Sequence, residues 1–237
     1  MRIVISTGGT GGHIFPALQT ALALRSRSHD VIFVGSFGDR QEKLKTQGFD
    51  VVNISAQGFT KKSIFGIISL SLVTFQAIIK AYSVLKELRP NKVIGFGGYG
   101  SFSIVLAAWF LKIPVMIHEQ NVYPGKANRL LAKLVQKIAI SFKDTQKYLS
   151  DKKTVWTGCP CLKERPVTSK ASLYQKFNLD PTKKTVLVLG GSQGSQKINA
   201  VVFEMISLMK DVSTFQFIVM TGKKEFPDYL IKYKNVP

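Results

Sequence analysis

The residues whose types and order could do chemistry stand just after the first apolar run, where Gly8–Gly12 (GGTGG) leads into His13. Glycines let a phosphate or sugar approach backbone N–H groups, and the N-terminus of a following helix adds about half a positive charge. A neutral imidazole at that helix end can take a proton from a hydroxyl group. The pattern predicts a ligand site with His13 as its base, and a histidine that only caps the helix is the alternative.

Two more glycine loops follow predicted strands, at Gly95–Gly100 and Gly190–Gly194. Ligands of open α/β sheets bind beyond the carboxyl ends of the strands. Three such loops therefore favour binding over glycines that merely permit tight turns, although none continues as the G-K-[ST] of a P-loop. Because Gly95–Gly100 also fits G-x-G-x-x-G and Glu119 follows the next strand, an NAD-dependent oxidoreductase stays open as an alternative.

A cluster of polar side chains, His118-Glu119-Gln120-Asn121, ends another predicted strand. Polar groups at that edge of a sheet are typical of a pocket. A turn that is satisfied by its own side chains is the alternative interpretation.

These segments must be positioned by alternating strands and helices. Apolar runs predict strands at Arg2–Ser6, Val31–Val34, Val51–Ile54, Lys92–Ile94, Val115–His118, Lys137–Ile140 and Val155–Thr157. Longer-period patterns predict helices at Phe15–Leu24, Ser101–Leu111 and Ala127–Leu134. Near-continuous apolar strands that alternate with helices indicate a parallel sheet covered on both faces.

A second strand–glycine–helix unit follows a linker at Cys159–Pro181, which carries a short helix candidate at Ser169–Phe177. Its predicted strands are Thr185–Leu189 and Phe215–Met220. We therefore expect two similar domains, 1–160 and 161–237, the second with fewer strands than a complete doubly wound sheet.

Charge indicates the class of partner. The 237 residues include 33 Lys and Arg against 14 Asp and Glu, a formal charge of +19. Nucleic acid, anionic membranes and phosphate-bearing ligands all fit, but no nucleic-acid-binding motif occurs, so we expect no nucleic acid partner. Cys159 and Cys161 are expected to be free thiols in a reducing compartment, and the N-terminus does not resemble a secretory signal.

The segment Lys61–Lys80 is unusually apolar, with seventeen uncharged residues between Lys62 and Lys80. Its interrupting polar residues argue against a membrane-spanning helix. Two interpretations of the segment remain, a helix buried in the core and a helix that lies in the membrane interface. The surrounding lysines and arginines favour contact with anionic lipid.

Six motifs then occur in one order: GGTGGHIFPAL, GFGGYGSFS, HEQN, Pro124-Gly125 with Asn128, TG-x-P and LGGSQGSQKIN. From Met1 to about Met220 this set closely resembles the MurG family, glycosyltransferases of family 28. The resemblance implies an α/β fold of GT-B type with two Rossmann-like, doubly wound parallel-sheet domains. The N-terminal domain would bind acceptor and membrane, and the C-terminal domain, incomplete here, would bind the UDP-sugar.

The resemblance also implies an activity, the inverting transfer of N-acetylglucosamine from UDP-N-acetylglucosamine (UDP-GlcNAc) to the 4-hydroxyl of lipid I. Lipid II for peptidoglycan synthesis would result, at the cytoplasmic face of the inner membrane, with the protein bound peripherally to an anionic surface. No cofactor and no metal ion are implied, and the sequence contains no Asp-x-Asp for a metal-bridged diphosphate.

The resemblance also implies roles for the residues of this chain that match the family's motifs. His13 matches the proposed base. Matches to residues that bind UDP-GlcNAc are Thr10, Gly11, Gly12, Asn121, Gly191, Ser192, Gln193 and Gly194. Residues expected on the acceptor side are Gly97, Tyr99 and Glu119. The expected membrane patch comprises Ile67, Ile68, Phe75 and Trp109 with Lys61, Lys62 and Lys80.

Two departures from the family pattern bear on donor binding. Leu162 stands where the family has an arginine that helps to bind the donor, and Lys163 or Arg165 is the candidate substitute. The family's uracil pocket lies beyond Pro237, so a fragment or truncated product is expected. A non-catalytic lipid-binding remnant and a related GT-B glycolipid synthase are the alternative functions.

Overall fold

The computed structural model describes residues 1–8, 10–54, 64–161, 168–191 and 193–234, without the side chains of residues 39 and 64–71. The chain divides into two compact units, Met1–Lys163 and Glu164–Pro237, called here the N-terminal and C-terminal units.

The N-terminal unit is built on a seven-stranded sheet in which every pairing is parallel. Its strands are β1 (Arg2–Ser6), β2 (Asp30–Gly35), β3 (Asp50–Asn53), β4 (Lys92–Gly95), β5 (Val115–Glu119), β6 (Lys137–Ile140) and β7 (Thr154–Trp156). The order across the sheet is β3-β2-β1-β4-β5-β6-β7. The predicted parallel sheet is confirmed, because each predicted strand lies within about one residue of its observed bounds.

Helices connect these strands. They are α1 (Gly11–Arg25), α2 (Gln41–Thr46), α3 (Ile64–Leu88), α4 (Tyr99–Phe110) and α5 (Lys126–Leu131), with 3₁₀ turns at Gly38–Arg40 and Lys143–Tyr148. Helix α1 begins four residues before the predicted Phe15, because the extended backbone of Thr10 (φ −91°, ψ 150°) sends Gly11 straight into the first turn. His13 consequently lies in the first turn of α1.

Successive side chains of each strand point to opposite faces of the sheet, where they pack into two hydrophobic layers. Ile3 and Ile5 of β1 pack in one layer with Ile14 and Leu18 of α1. Val4 packs in the other layer with residues of α3 and α4. β1 is a central strand buried on both faces, which explains why Ile3, Val4 and Ile5 are consecutive apolar residues.

Helix α3 has one buried and one exposed apolar face, so the interpretation as a core helix is confirmed for its buried face and contact with lipid stays a prediction. Ala77, Ala81 and Leu85 are buried in the core. On another face an exposed row, called here the α3 stripe, consists of Leu72, Phe75, Ile79 and Tyr82. Within the described parts of the chain, no helix combines the length and apolarity needed to cross a bilayer.

The C-terminal unit contains α6 (Lys170–Lys176), β8 (Lys184–Leu189), α7 (Gln196–Leu208), β9 (Phe215–Met220) and α8 (Phe226–Lys234). Strands β8 and β9 pair in parallel over six residues. The Ser195 hydroxyl caps α7 by accepting a hydrogen bond from the Ile198 N–H at 3.5 Å. The strand–glycine–helix–strand order predicted for this region is confirmed.

Candidate active site

The candidate site lies at the carboxyl edge of the sheet, where β1 and β4 are neighbours although they are not consecutive strands. Chain connections diverge to opposite sides at this point, which is where ligands bind in open α/β sheets. Ser6 at the end of β1 is paired with Gly95 at the end of β4. The two following loops meet directly, since the Gly8 N–H donates to the Gly97 carbonyl at 2.9 Å.

Glycine is required where these loops approach each other. Gly97 and Gly98 have φ values of +82° and +78°, which side-chain-bearing residues rarely adopt. A Cβ on Gly98 would stand 2.9 Å from the Gly8 Cα. A Cβ on Gly97 would lie 3.4 Å from Cε1 of His13, and one on Gly98 would lie 3.5 Å from its Cδ2. Because these carbons flank Nε2, the two glycines keep space around that nitrogen.

His13 is half-buried in the first turn of α1. Its Nδ1 lies 2.9 Å from Oε1 of Gln120, which follows β5. Among the described residues its ring makes no second hydrogen bond, so Nε2 has no partner there. The ring is thus held on one side and available for chemistry on the other.

Gln120 links His13 to a second histidine. Its Nε2 lies 3.1 Å from Nδ1 of His118, whose own Nε2 is 3.1 Å from the Gly158 carbonyl. Burial lowers the pKa of His118 below its ordinary value of 6.5, against weaker opposing effects of the Gly158 carbonyl and the Glu119 carboxylate. His118 is therefore a neutral, buried side chain behind Gln120.

Glu119 holds the turn after β5. The residue is 1% exposed. Its Oε1 accepts from the Asn121 N–H at 2.9 Å and from the Asn121 amide at 3.1 Å. Its Oε2 accepts from the Gly125 N–H at 3.0 Å and from the Asn128 amide at 2.8 Å.

Four donors thus occupy both oxygens of this carboxylate. The sequence leaves two interpretations of the His118–Asn121 cluster, a pocket or a turn whose polar groups bond one another. Glu119 fits the second, because its hydrogen bonds come from the turn that follows it and from α5. This arrangement leaves no free carboxylate for the ribose of a dinucleotide, which argues against the NAD hypothesis. A direct contact between Glu119 and an acceptor stays a prediction.

The remaining predicted residues of this edge belong to the loops that follow β1, β4 and β5. Thr10 and Gly12 are exposed at the start of α1, with Gly11 half-buried between them. Asn121 is exposed beside Gln120, and Tyr99, 49% exposed, begins α4. The strand order thus brings predicted residues from three loops to one edge. Sequence reasoning did not assign a role to Gln120; its position directly after a strand end was the available signal.

The second glycine loop lies in the C-terminal unit, and its glycines differ in role. A Cβ on Gly194 would collide with the Thr221 carbonyl, so that glycine allows the loops after β8 and β9 to touch. Gly191 has φ +84° but open space where its Cβ would be, so its backbone is accessible to a ligand. Gln193 is exposed, and Ser192 lies outside the described residues.

The expected membrane patch is described in part. Phe75 is 59% and Trp109 41% exposed, and Lys80 is exposed on α3. Lys61 and Lys62 lie outside the described residues, as do the side chains of Ile67 and Ile68. Lys163 and Arg165, the candidate substitutes for the missing arginine, also lie outside them.

Neither cysteine forms a disulfide, and both are exposed. Within the described ranges, no three His, Cys, Asp or Glu side chains are grouped as they would be to hold a metal ion.

Comparisons with known proteins agree with this architecture. The glycosyltransferase family 28 N-terminal domain matches residues 3–140, and the family 28 C-terminal domain matches residues 185–237. Curated relatives named UDP-N-acetylglucosamine–N-acetylmuramyl-(pentapeptide) pyrophosphoryl-undecaprenol N-acetylglucosamine transferase include those of Halothermothrix orenii and Bacillus pumilus. Each is 37% identical over 99% of this chain. The chain spans 64% and 65% of their respective lengths.

Solved structures show the same fold. MurG of Acinetobacter baumannii superposes with a TM-score of 0.68 at 24% identity, over 100% of this chain and 63% of that one. MnaA of S. aureus, solved with UDP, superposes with a TM-score of 0.67 at 16% identity, over 100% and 66%. The predicted α/β fold of GT-B type is confirmed, and the matched domains together show that the chain belongs to glycosyltransferase family 28.

Proposed function

We propose that this chain carries out the reaction named for its relatives, the transfer of N-acetylglucosamine from UDP-GlcNAc to undecaprenyl-pyrophosphoryl-N-acetylmuramyl-pentapeptide. The observation that carries the proposal is the placement of His13 at the β1–β4 edge, with Nδ1 held by Gln120 and glycine backbone around Nε2. A base that faces open space at the ligand-binding edge suits activation of a sugar hydroxyl.

The reaction needs one base. The acceptor 4-hydroxyl oxygen forms a bond to the anomeric carbon on the face opposite the diphosphate. The bond from that carbon to the diphosphate oxygen breaks, and its electron pair leaves with UDP. The hydroxyl proton passes to Nε2 of His13, which becomes an imidazolium. Direct displacement inverts the anomeric centre, and it needs no second carboxylate as a nucleophile.

The departing diphosphate gains negative charge, which backbone amides can stabilise. In the N-terminal unit the candidate donors are the amides of Gly11 and Gly12 in the first turn of α1, where the helix dipole also favours an anion. In the C-terminal unit the open backbone of Gly191, before the 13-residue helix α7, is the candidate for the UDP-sugar. Thr10, Asn121, Ser192 and Gln193 are proposed to complete donor recognition.

The lipid-linked acceptor requires a position at a membrane. The α3 stripe exposes four large apolar side chains, and α4 ends in exposed Trp109 and Phe110. Exposed Lys80 and Lys86 lie on the same helix as the stripe. Apolar surface beside lysines suits the headgroup region of anionic lipids. We propose peripheral attachment to the cytoplasmic face of the inner membrane through this surface.

The proposal is tested by incubating the chain with labelled UDP-GlcNAc and lipid I in anionic detergent-lipid micelles, and by measuring lipid II and released UDP. Formation of both in equal amounts supports the proposal. Lipid I binding without transfer would instead support a non-catalytic lipid-binding remnant. In a parallel incubation with diacylglycerol in place of lipid I, transfer to that lipid alone would indicate a glycolipid synthase.

A further inference from the structure

The amide of Gln120 has an orientation that its surroundings dictate. One end lies 3.1 Å from the Phe96 carbonyl and 3.2 Å from the His118 carbonyl. Carbonyl oxygens only accept hydrogen bonds, so this end must be the NH₂ group. The opposite end, which faces His13, must therefore be the amide oxygen.

The orientation of this amide determines where the proton of neutral His13 resides. An amide oxygen only accepts, so the Nδ1 atom 2.9 Å away must carry the hydrogen. A neutral imidazole carries a single N–H, which leaves the lone pair on Nε2. Among the described residues no group bonds that nitrogen, and Gly97 and Gly98 leave space beside it.

The same amide imposes the opposite state on His118. The NH₂ group of Gln120 lies 3.1 Å from Nδ1 of His118, which must accept, while the Nε2–H of His118 donates to the Gly158 carbonyl. The burial of His118 keeps this ring neutral and so able to accept at Nδ1. Two histidines joined by one glutamine are thus expected to be in opposite tautomers.

We propose that Gln120 is a positioning residue, which holds His13 in the Nδ1–H tautomer so that the Nε2 lone pair faces the acceptor hydroxyl. The inference rests on the proposed function for its catalytic meaning, but the tautomer itself does not depend on it. The contact persists through the reaction, because the Nδ1–H of an imidazolium still donates to the Gln120 oxygen. A proton taken at Nε2 therefore requires no rearrangement of the ring.

Nitrogen-15 NMR of the chain labelled at its three histidines measures the tautomers directly. We expect His13 with a protonated Nδ1 and an unprotonated Nε2, and His118 with the reverse, with His29 as an internal reference. An Nε2–H tautomer at His13 in the unsubstituted protein would overturn the proposal without any variant.

The matched variants are Gln120→Met and Gln136→Met. The Gln136 amide oxygen accepts from the Val115 N–H at 2.7 Å, so its loss also leaves a backbone group unpaired while no histidine is touched. Gln120→Met should change the His13 spectrum to a mixture of tautomers, whereas Gln136→Met should leave it unchanged. An unchanged His13 spectrum in Gln120→Met would also overturn the proposal.

Kinetics separate this inference from the proposed function. Where transfer is measurable, Gln120→Met should lower kcat by about 10- to 100-fold with little change in KM for UDP-GlcNAc. An unchanged kcat together with the expected tautomers would show that the orientation exists but does not serve catalysis. Absence of transfer in the unsubstituted chain would refute the proposed function and leave the NMR result to decide the orientation.

Discussion

Replacing Glu119 with glutamine tests whether this buried carboxylate stabilises the turn that carries Gln120 and Asn121. The glutamine oxygen can replace one carboxylate oxygen and keep two of the four hydrogen bonds. Its NH₂ group then faces two donors, either the two from Asn121 or those from Gly125 and Asn128. Two bonds to a charged group, each worth about 1.5–3 kcal/mol, are lost, so the free energy of unfolding should fall by about 3 kcal/mol or more.

Thermal unfolding followed by tryptophan fluorescence measures this loss in the relevant unit, because both tryptophans, Trp109 and Trp156, belong to the N-terminal unit. About 1 kcal/mol shifts Tm by about 2–4 °C at this size, so Glu119→Gln should lower Tm by at least about 6 °C. Glu42→Gln is the control, because Glu42 lies on the surface, where it pairs with Lys45 at 3.7 Å. A Tm for Glu119→Gln within about 1 °C of the unsubstituted protein would refute the reasoning.

Further substitutions test other parts of the account. Gly98 has a positive φ, and Gly98→Ala would place a Cβ 2.9 Å from the Cα of Gly8, so it should lower the free energy of unfolding by about 1–3 kcal/mol in the same melting assay. The control Gly12→Ala places its Cβ where nothing lies within 4 Å and should lower it less. The pKa of His118 is lower in the folded protein than in the unfolded chain, so the unfolded chain binds a proton first as the pH falls below 6.5. The difference in free energy of unfolding between the unsubstituted protein and His118→Gln should therefore shrink as the pH falls. A difference that stays constant with pH would contradict the lowered pKa of His118. Phe75→Ser should weaken binding to anionic vesicles by about tenfold or more in a sedimentation assay, since full burial of its ring is worth about 1.5–3 kcal/mol; equal loss in Leu208→Ser, an exposed residue of the C-terminal unit, would argue against a specific patch.

Strands were the most predictable part of this fold. A parallel sheet buries both faces of its strands, so runs such as Val31–Val34 and Ile138–Ile140 are apolar throughout, and each follows a charged residue. Helix ends were less predictable. Helix α5 ends at Leu131 rather than at Leu134, and the six-residue α2 has too short an apolar pattern to be distinguished from a loop.

The loops that meet at the candidate site could be predicted from the sequence, but the contacts between them could not. Glycine loops and the position of His13 can be read along the chain, because strand ends and helix starts follow one another in sequence. The partnership of His13 with Gln120 depends on β4 lying between β1 and β5, an order that crosses over in sequence. Likewise, the sequence predicts Glu119 as a site residue, but only the structure shows that donors of the following turn and of α5 occupy its oxygens.

The central claim is that His13 takes the proton of the acceptor hydroxyl at the β1–β4 edge. His13→Asn tests it most directly, because the asparagine amide can still donate to the Gln120 oxygen but offers no base in place of Nε2. We expect the initial rate of lipid II formation to fall by about 10²- to 10⁴-fold, with UDP-GlcNAc binding retained. A His13→Asn protein that transfers at the unsubstituted rate would contradict the account.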